Sequence, residues 1–260
     1  RANLNGDGLD FDSCQDVIVS DCRIDGSDDC ICLQSSVLGS ACRNITVTNC
    51  VLTSRWAGFR IGLLSSGDIE DVAVSNCVLH DMGGSGVKIQ SAEGGTIRNM
   101  AFGNLVMRNV PRPVFMTLNH FHIGRDAPAN PPRTGRINAI TFHGIRARND
   151  KLAGNISAKH EGITLTGTPG YCIEDVLFSA LDFAAFGGCQ ERGEPNQPEM
   201  ENVRPEYFSF TDRLPAYGAY LRHVKDVRFR QCALKTLNAD TRPAIYCEDA
   251  EACTLDSKQP

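Results

Sequence analysis

The chain has 260 residues, 26 basic against 31 acidic, a formal net charge of −5 and 42% hydrophobic residues, enough for one large domain or two small ones with a substantial core. That balance excludes an intrinsically disordered chain and removes the long-range attraction to phosphate backbones expected of a nucleic-acid binder. No apolar run approaches the roughly 20 residues that cross a bilayer. Arg1 opens the chain without an initiator Met or a basic-then-apolar leader, so location is not legible from its start.

In chain order, short segments of two kinds alternate. DGLDF from Asp7 is followed by QDVIVSDCRI from Gln15, DCICL from Asp29 by RNITVTNCVL from Arg43, and AGFRI from Ala57 by EDVAVSNCVL from Glu70. SGVKI from Ser85 precedes RNMAFGNLVM from Arg98, and RPVFM from Arg112 precedes NAITFHGIRA from Asn138; EDVLFSALDF from Glu174 and KDVRFRQCAL from Lys225 complete the series. The longer unit thus returns seven times. Its third residue steps by 28, 27 and 28 residues, then by 40, 36 and 51, as expected if loops interrupt one frame. The Pro-, Gly- and charge-rich stretches Gly124 to Gly135 and Gly187 to Pro205 supply those loops and are candidate groove walls.

Each segment alternates apolar and polar residues and breaks at Gly, Asp, Asn or Ser, which predicts short strands joined by turns. Such a unit cannot bury its own apolar face, so successive units must stack. The predicted fold is all-β, a right-handed parallel β-helix forming one domain over 1–260, with its N-terminal coils missing because no strand is available to stack beneath Asp7.

The frame also gives the 12 cysteines a structural use. Cys22, Cys50, Cys77 and Cys232 share one slot and Cys14 and Cys42 another, as small buried residues do. No CxxC occurs, so a zinc site of the usual type is not expected; a Cys247–Cys253 disulfide stays open. Asp21, Asn49 and Asn76 fall together at a turn and predict a polar ladder.

In the shorter segments the third and fifth residues are apolar, so the fourth points away from the core. That column is Asp10, Cys32, Arg60, Lys88 and Phe115. Asp7 and Asp29 begin neighbouring strands with Asp28 beside them, and three carboxylates so placed cannot all ionise freely. One protonated acid and one base are the equipment for cleaving a glycosidic bond. Turn capping by these acids and calcium binding are the competing readings; Arg60 and Lys88 nearby argue against a cation. The same two residues suit a uronate carboxylate. Trp56, the only tryptophan, is placed either to stack on a sugar or to seal the solenoid. His120, following the next strand in LNHFH, is a candidate for one end of the groove, whereas His143 sits at a repeat slot and reads as structural.

Asn5-Gly6-Asp7-Gly8 followed by Gly26-Ser27-Asp28-Asp29-Cys30-Ile31 resembles the Asn-x-Asp-Gly and Gly-x-Asp-Asp motifs of the family 28 glycoside hydrolases, the polygalacturonase group of right-handed β-helix enzymes. Leu214 to Gly218, Arg222-His223-Val224 and Arg242 to Ile245 resemble the last coils of bacterial members. The resemblance implies Asp28 as general acid, Asp7 and Asp29 as the carboxylates that activate water, Asn5 in support, inversion at the anomeric carbon, and no cofactor or metal. Two motifs depart from the family: Trp56-Ala57-Gly58 stands for Gly-His-Gly, and Lys88-Ile89-Gln90 for Arg-Ile-Lys. The implied function is hydrolysis of a pectin-like galacturonan or rhamnogalacturonan by an extracellular or periplasmic monomer. A non-catalytic carbohydrate-binding β-helix and a polysaccharide lyase are the alternatives.

Overall fold

A computed structural model describes residues 5–123, 133–152, 160–190 and 214–257. Strands numbered in chain order wind into a right-handed parallel β-helix with three faces. The first face holds β1 (Leu9–Asp12), β4 (Ile31–Ser35), β7 (Phe59–Ser65), β10 (Ser85–Ser91), β13 (Arg112–Leu118) and β16 (Ile163–Thr166), then the start of the long β19 (Ala219–Asn238), and β20 (Ile245–Glu251). The second holds β2 (Gln15–Ser20), β5 (Ala41–Thr48), β8 (Asp68–Ser75), β11 (Thr96–Gly103), β14 (Arg136–His143), β17 (Ile173–Ser179), the middle of β19, and β21 (Thr254–Ser257). The third is built of shorter strands, β3 (Arg23–Gly26), β6 (Val51–Ser54), β9 (Val78–His80), β12 (Val106–Arg108), β15 (Arg146–Arg148) and β18 (Asp182–Gly187), and ends on the close of β19.

The repeat read from the sequence is the register of the second face. Val17 pairs with Ile45, Ile45 with Val72, Val72 with Met100, Met100 with Ile140, Ile140 with Val176 and Val176 with Val227. Two residues further on, Phe102, Phe142, Phe178 and Phe229 stack inside the helix with ring centroids 5.0, 4.9 and 4.6 Å apart. That spacing is close to the strand separation of about 4.8 Å, so one ring per coil fills the core without tilting.

At the corner between the second and third faces the backbone turns through left-handed residues, Asp21, Asn49, Asn76 and Asn104 among them, with φ between 53° and 58°. Asn and Asp tolerate this region better than other side-chain-bearing residues. Their side chains form the expected ladder, Asn49 Nδ2 donating to Asp21 Oδ1 at 3.4 Å and Asn104 Nδ2 to Asn76 Oδ1 at 3.3 Å. A second ladder, not anticipated, precedes it by one face: Asn44 Nδ2 donates to Asp16 Oδ1 at 2.8 Å and Asn99 Nδ2 to Asp71 Oδ1.

Next to the corner, Cys22, Cys50 and Cys77 each turn a thiol 3.2 Å from the carbonyl two residues earlier. None of the twelve cysteines, Cys247 and Cys253 included, is in a disulfide. The insertions expected from Gly124 to Gly135 and from Gly187 to Pro205 lie for the most part outside the described residues.

The first face carries the column predicted to point away from the core, and its register is as read: Asp10 beside Cys32, Cys32 beside Arg60, Arg60 beside Lys88, Lys88 beside Phe115. Its exposure differs from expectation. Cys32, Lys88 and Phe115 are buried; Phe115 packs with Leu214 and Tyr220, flanked by Trp56 and Tyr246.

Candidate active site

The acids meet where the chain enters β1 and β4. Gly6 O accepts the backbone N–H of Ser27 at 3.2 Å and of Asp28 at 3.3 Å, while Gly8 N–H donates to Asp29 O at 3.0 Å. A side chain at Gly8 would collide with Cys30 O and with Ile24, so this tight clip between coils requires glycine. One donor then serves two acids. The backbone N–H of Asp29 points at Asp7 Oδ1, 2.9 Å away, and at Asp28 Oδ1, 3.0 Å away.

Asp29 itself is buried and held at both oxygens. Oδ1 accepts the N–H of Ala57 at 2.9 Å and Oδ2 pairs with Arg60 Nη1 at 3.3 Å. The Cys32 thiol completes the group: donor atoms of Asp7, Asp29 and Cys32 all lie within 4.8 Å of one another. A cation there would have to compete with the Arg60 guanidinium.

The electrostatics follow from this crowding. Burial, with the neighbouring Asp28, Asp10 and Asp29 charges, pushes the Asp7 carboxyl up to about 6, against the opposing pull of Arg60. Burial and the Asp29 charge also raise Asp28, opposed by the Asp29 N–H, Arg60 and Lys88. Burial and the surrounding acids drive the Cys32 thiol far above its usual range, so it remains a thiol.

The family model described as glycosyl hydrolases family 28 matches residues 2–177, a span that contains every one of these groups. The chain belongs to family 28. Among its relatives, a probable polygalacturonase of Vitis vinifera is 25% identical over 180 residues, 66% of this chain and 36% of that protein. Polygalacturonase-2 of Solanum lycopersicum is 33% identical over 205 residues, 76% of this chain and 40% of that protein. The fold matches the family 28 exopolygalacturonase of Yersinia enterocolitica with a TM-score of 0.69 at 17% identity, over 98% of this chain and 39% of that one. The chain therefore spans well under half the length of these proteins.

Within this family 28 site the predicted substrate residues are dispersed. Asn5 is exposed at the head of the Asp7 segment. Trp56 is half-buried on the outside of the first face, against the Phe115 cluster, which decides against its sealing the solenoid core. Lys88 and Gln90 are both buried. His120, beyond the end of β13, has Nδ1 3.2 Å from Thr134 Oγ1. His143 pairs with Ser179 on an exposed part of the second face, in keeping with its repeat slot.

The sequence reading passed over Ser54. Its hydroxyl donates to Asp28 O and accepts the N–H of Trp56 at 2.8 Å, so it ties the Asp28 backbone to the following coil. Its signal was faint, since Ser54 aligns with Gly26 in the neighbouring coil, a slot with no side chain to compare. Arg112 was also missed as more than a strand's first residue. It is fully buried, with its guanidinium carbon 5.2 Å from the Phe115 ring centroid and Nη1 3.3 Å from Thr164 Oγ1.

Proposed function

We propose that this chain carries the catalytic centre of an inverting glycoside hydrolase acting on a uronate-containing, pectin-like polysaccharide or oligosaccharide, as a monomer outside the cytoplasm and without a cofactor. The observation that carries the reading is the single Asp29 N–H shared by the Asp7 and Asp28 carboxyl groups. It holds the two acids side by side, where burial and neighbouring carboxylates raise both.

In this reading Asp28 gives its proton to the glycosidic oxygen as the bond to the anomeric carbon breaks. A water on the opposite face of the sugar attacks that carbon and loses its proton to the carboxylates of Asp7 and Asp29, so one step inverts the configuration. The donor role goes to Asp28 because it occupies the second acidic motif of family 28. Substrate contact falls first to Asn5, Trp56 and His120, the less buried of the candidates, ahead of Lys88 and Gln90. Incubation with oligogalacturonides and rhamnogalacturonan fragments, with NMR of the first product, is the direct test: new reducing ends of inverted configuration are expected. Glycan binding without new reducing ends would favour the non-catalytic reading, and an unsaturated product absorbing in the ultraviolet would favour a lyase.

The pH dependence has a defined sign. Asp7 is the carboxyl raised to about 6; below that value it is protonated and cannot take the proton of the attacking water. Accordingly kcat/KM should fall on the acid side with a midpoint near 6, approaching about tenfold per pH unit. A rate that stays level from about pH 7 down to about pH 4 would contradict Asp7 as the base.

A further inference from the structure

The cation of this site is not where its sequence position suggested. Arg60 was expected to reach into the groove for a uronate carboxylate. Instead its Nη1 lies 3.3 Å from Asp29 Oδ2, with the Arg60 side chain 15% exposed and that of Asp29 2% exposed. We propose that Arg60 is a positioning residue for the acid trio, and that it holds Asp29 as a fixed carboxylate from which the backbone donor shared by Asp7 and Asp28 is aimed. This inference rests on the hydrolase reading above and adds to it a part that the Gly-His-Gly position, here Ala57, does not supply.

Three features of the geometry support it. First, the two oxygens of Asp29 are bound from one strand region, Oδ1 by the Ala57 N–H just before β7 and Oδ2 by Arg60 within β7. Residue 29 therefore cannot rotate without breaking contacts to the next coil. Second, the atom that organises the other two acids is Asp29's own backbone N–H, so rigidity at Asp29 is passed directly to Asp7 and Asp28. Third, Arg60 is surrounded by groups that its charge must influence. Asp7 and Asp28 stand on the entering segments, Asp10 on β1, Cys32 beside Arg60 on β4 and Lys88 beside it on β10.

Burying an acid as deeply as Asp29 is unfavourable unless a partner compensates. A guanidinium satisfies this better than an ammonium, since it stays charged and its fork can hold an orientation. The Arg60 charge also opposes the upward drift of Asp7 and of Asp28. Its removal should therefore push both further up, which is the direction expected when a nearby positive charge is lost.

The test uses Arg60→Gln and Arg60→Lys in the full chain, with two readouts. In carbon-detected NMR titration of the aspartate carboxyls, Arg60→Gln should move the Asp7 midpoint upward by about half a unit or more, and Arg60→Lys should leave it near that of the parent. This readout does not require turnover, so it stands or falls separately from the hydrolase assignment, whose own failure would be seen as absent hydrolysis by the parent protein. In kinetics, Arg60→Gln should lower kcat by about 10²-fold with KM changed little, and shift the acid limb upward, while Arg60→Lys recovers part of kcat. An Arg60→Gln protein with unmoved titration and unchanged kcat, or one that loses only KM toward uronate substrates, would overturn the proposal; the second outcome would return Arg60 to the groove as a carboxylate reader. Should Arg60→Gln fail to fold, Arg60→Lys decides alone: a lysine variant whose titration and kcat match the parent while KM for uronates rises tenfold or more refutes positioning.

Discussion

Asp28→Asn is expected to lower kcat on a polymeric or oligomeric substrate by about 10²–10⁴-fold, the usual worth of a positioned general acid. The replacement is nearly isosteric. The Asp28 side-chain oxygen still accepts the Asp29 N–H, and its backbone carbonyl still accepts the Ser54 hydroxyl, so the fold and the clip to the next coil should survive and thermal unfolding should be nearly unchanged. What the amide lacks is an acidic proton. A nitrophenyl glycoside, whose leaving group departs without protonation, should therefore be hydrolysed by Asp28→Asn far better than the natural linkage, whereas Asp7→Asn should lose activity on both. Two results would reshape the mechanism. Near-normal turnover of Asp28→Asn on the natural linkage removes Asp28 from the chemistry, and selective rescue of Asp7→Asn by the nitrophenyl substrate transfers the donor role to Asp7. The second outcome has a physical basis, since Asp7 is the carboxyl raised to about 6 and a carboxyl raised that far keeps its proton closer to neutral pH.

The convergence behind that prediction was legible in the sequence because a parallel solenoid converts a repeat into a coordinate system. Once Leu9, Ile31, Phe59, Val87 and Val114 are recognised as one inward row, the alternation of side chains fixes the neighbours of every residue between them. The column Asp10, Cys32, Arg60, Lys88 and Phe115 is therefore found in register strand by strand. Alternation states which way a side chain leaves the sheet, not what lies over it. Phe115 was read as an outward residue and is fully buried because Leu214 and Tyr220, about a hundred residues later in the chain, pack on that side. Arg60 shows a different limit. Its Cα position follows from the register, but a long side chain with several rotatable bonds chooses among partners by local charge, and buried Asp29 is the partner it meets. Ser54 and Glu161 were missed for a third reason, since the first aligns with a glycine and the second precedes β16, a strand of the first face that was not recognised in the sequence.

Glu161→Ala should be among the most destabilising single changes in the chain, at about 3–5 kcal/mol. Glu161 is fully buried just ahead of β16, and its carboxylate gathers three donors from the ends of β15 and β18. Asn149 Nδ2 reaches Oε1 at 2.6 Å, Phe186 N–H reaches the same oxygen at 2.7 Å, and Gly187 N–H reaches Oε2 at 3.0 Å. Asn149 in turn accepts the Val110 N–H at 2.8 Å, so the network spans the end of β15, the approach to β16 and the end of β18. Burial raises the Glu161 carboxyl, and these donors together with Arg242 oppose that rise. Alanine would leave three buried donors facing a void without their carboxylate acceptor. Glu161→Gln keeps the volume and one acceptor oxygen but turns an amide N–H₂ toward a donor, and should cost about 1–3 kcal/mol. Because coils of a solenoid couple only to their neighbours, the damage should be local before it is global. Hydrogen exchange at Val110, Phe186 and Gly187 should accelerate in Glu161→Ala well before exchange in the strands around Asp7 and Asp28. Unfolding of Glu161→Ala within about 1 kcal/mol of the parent, or uniform acceleration over all coils, would mean that Glu161 is not the clamp its three hydrogen bonds describe.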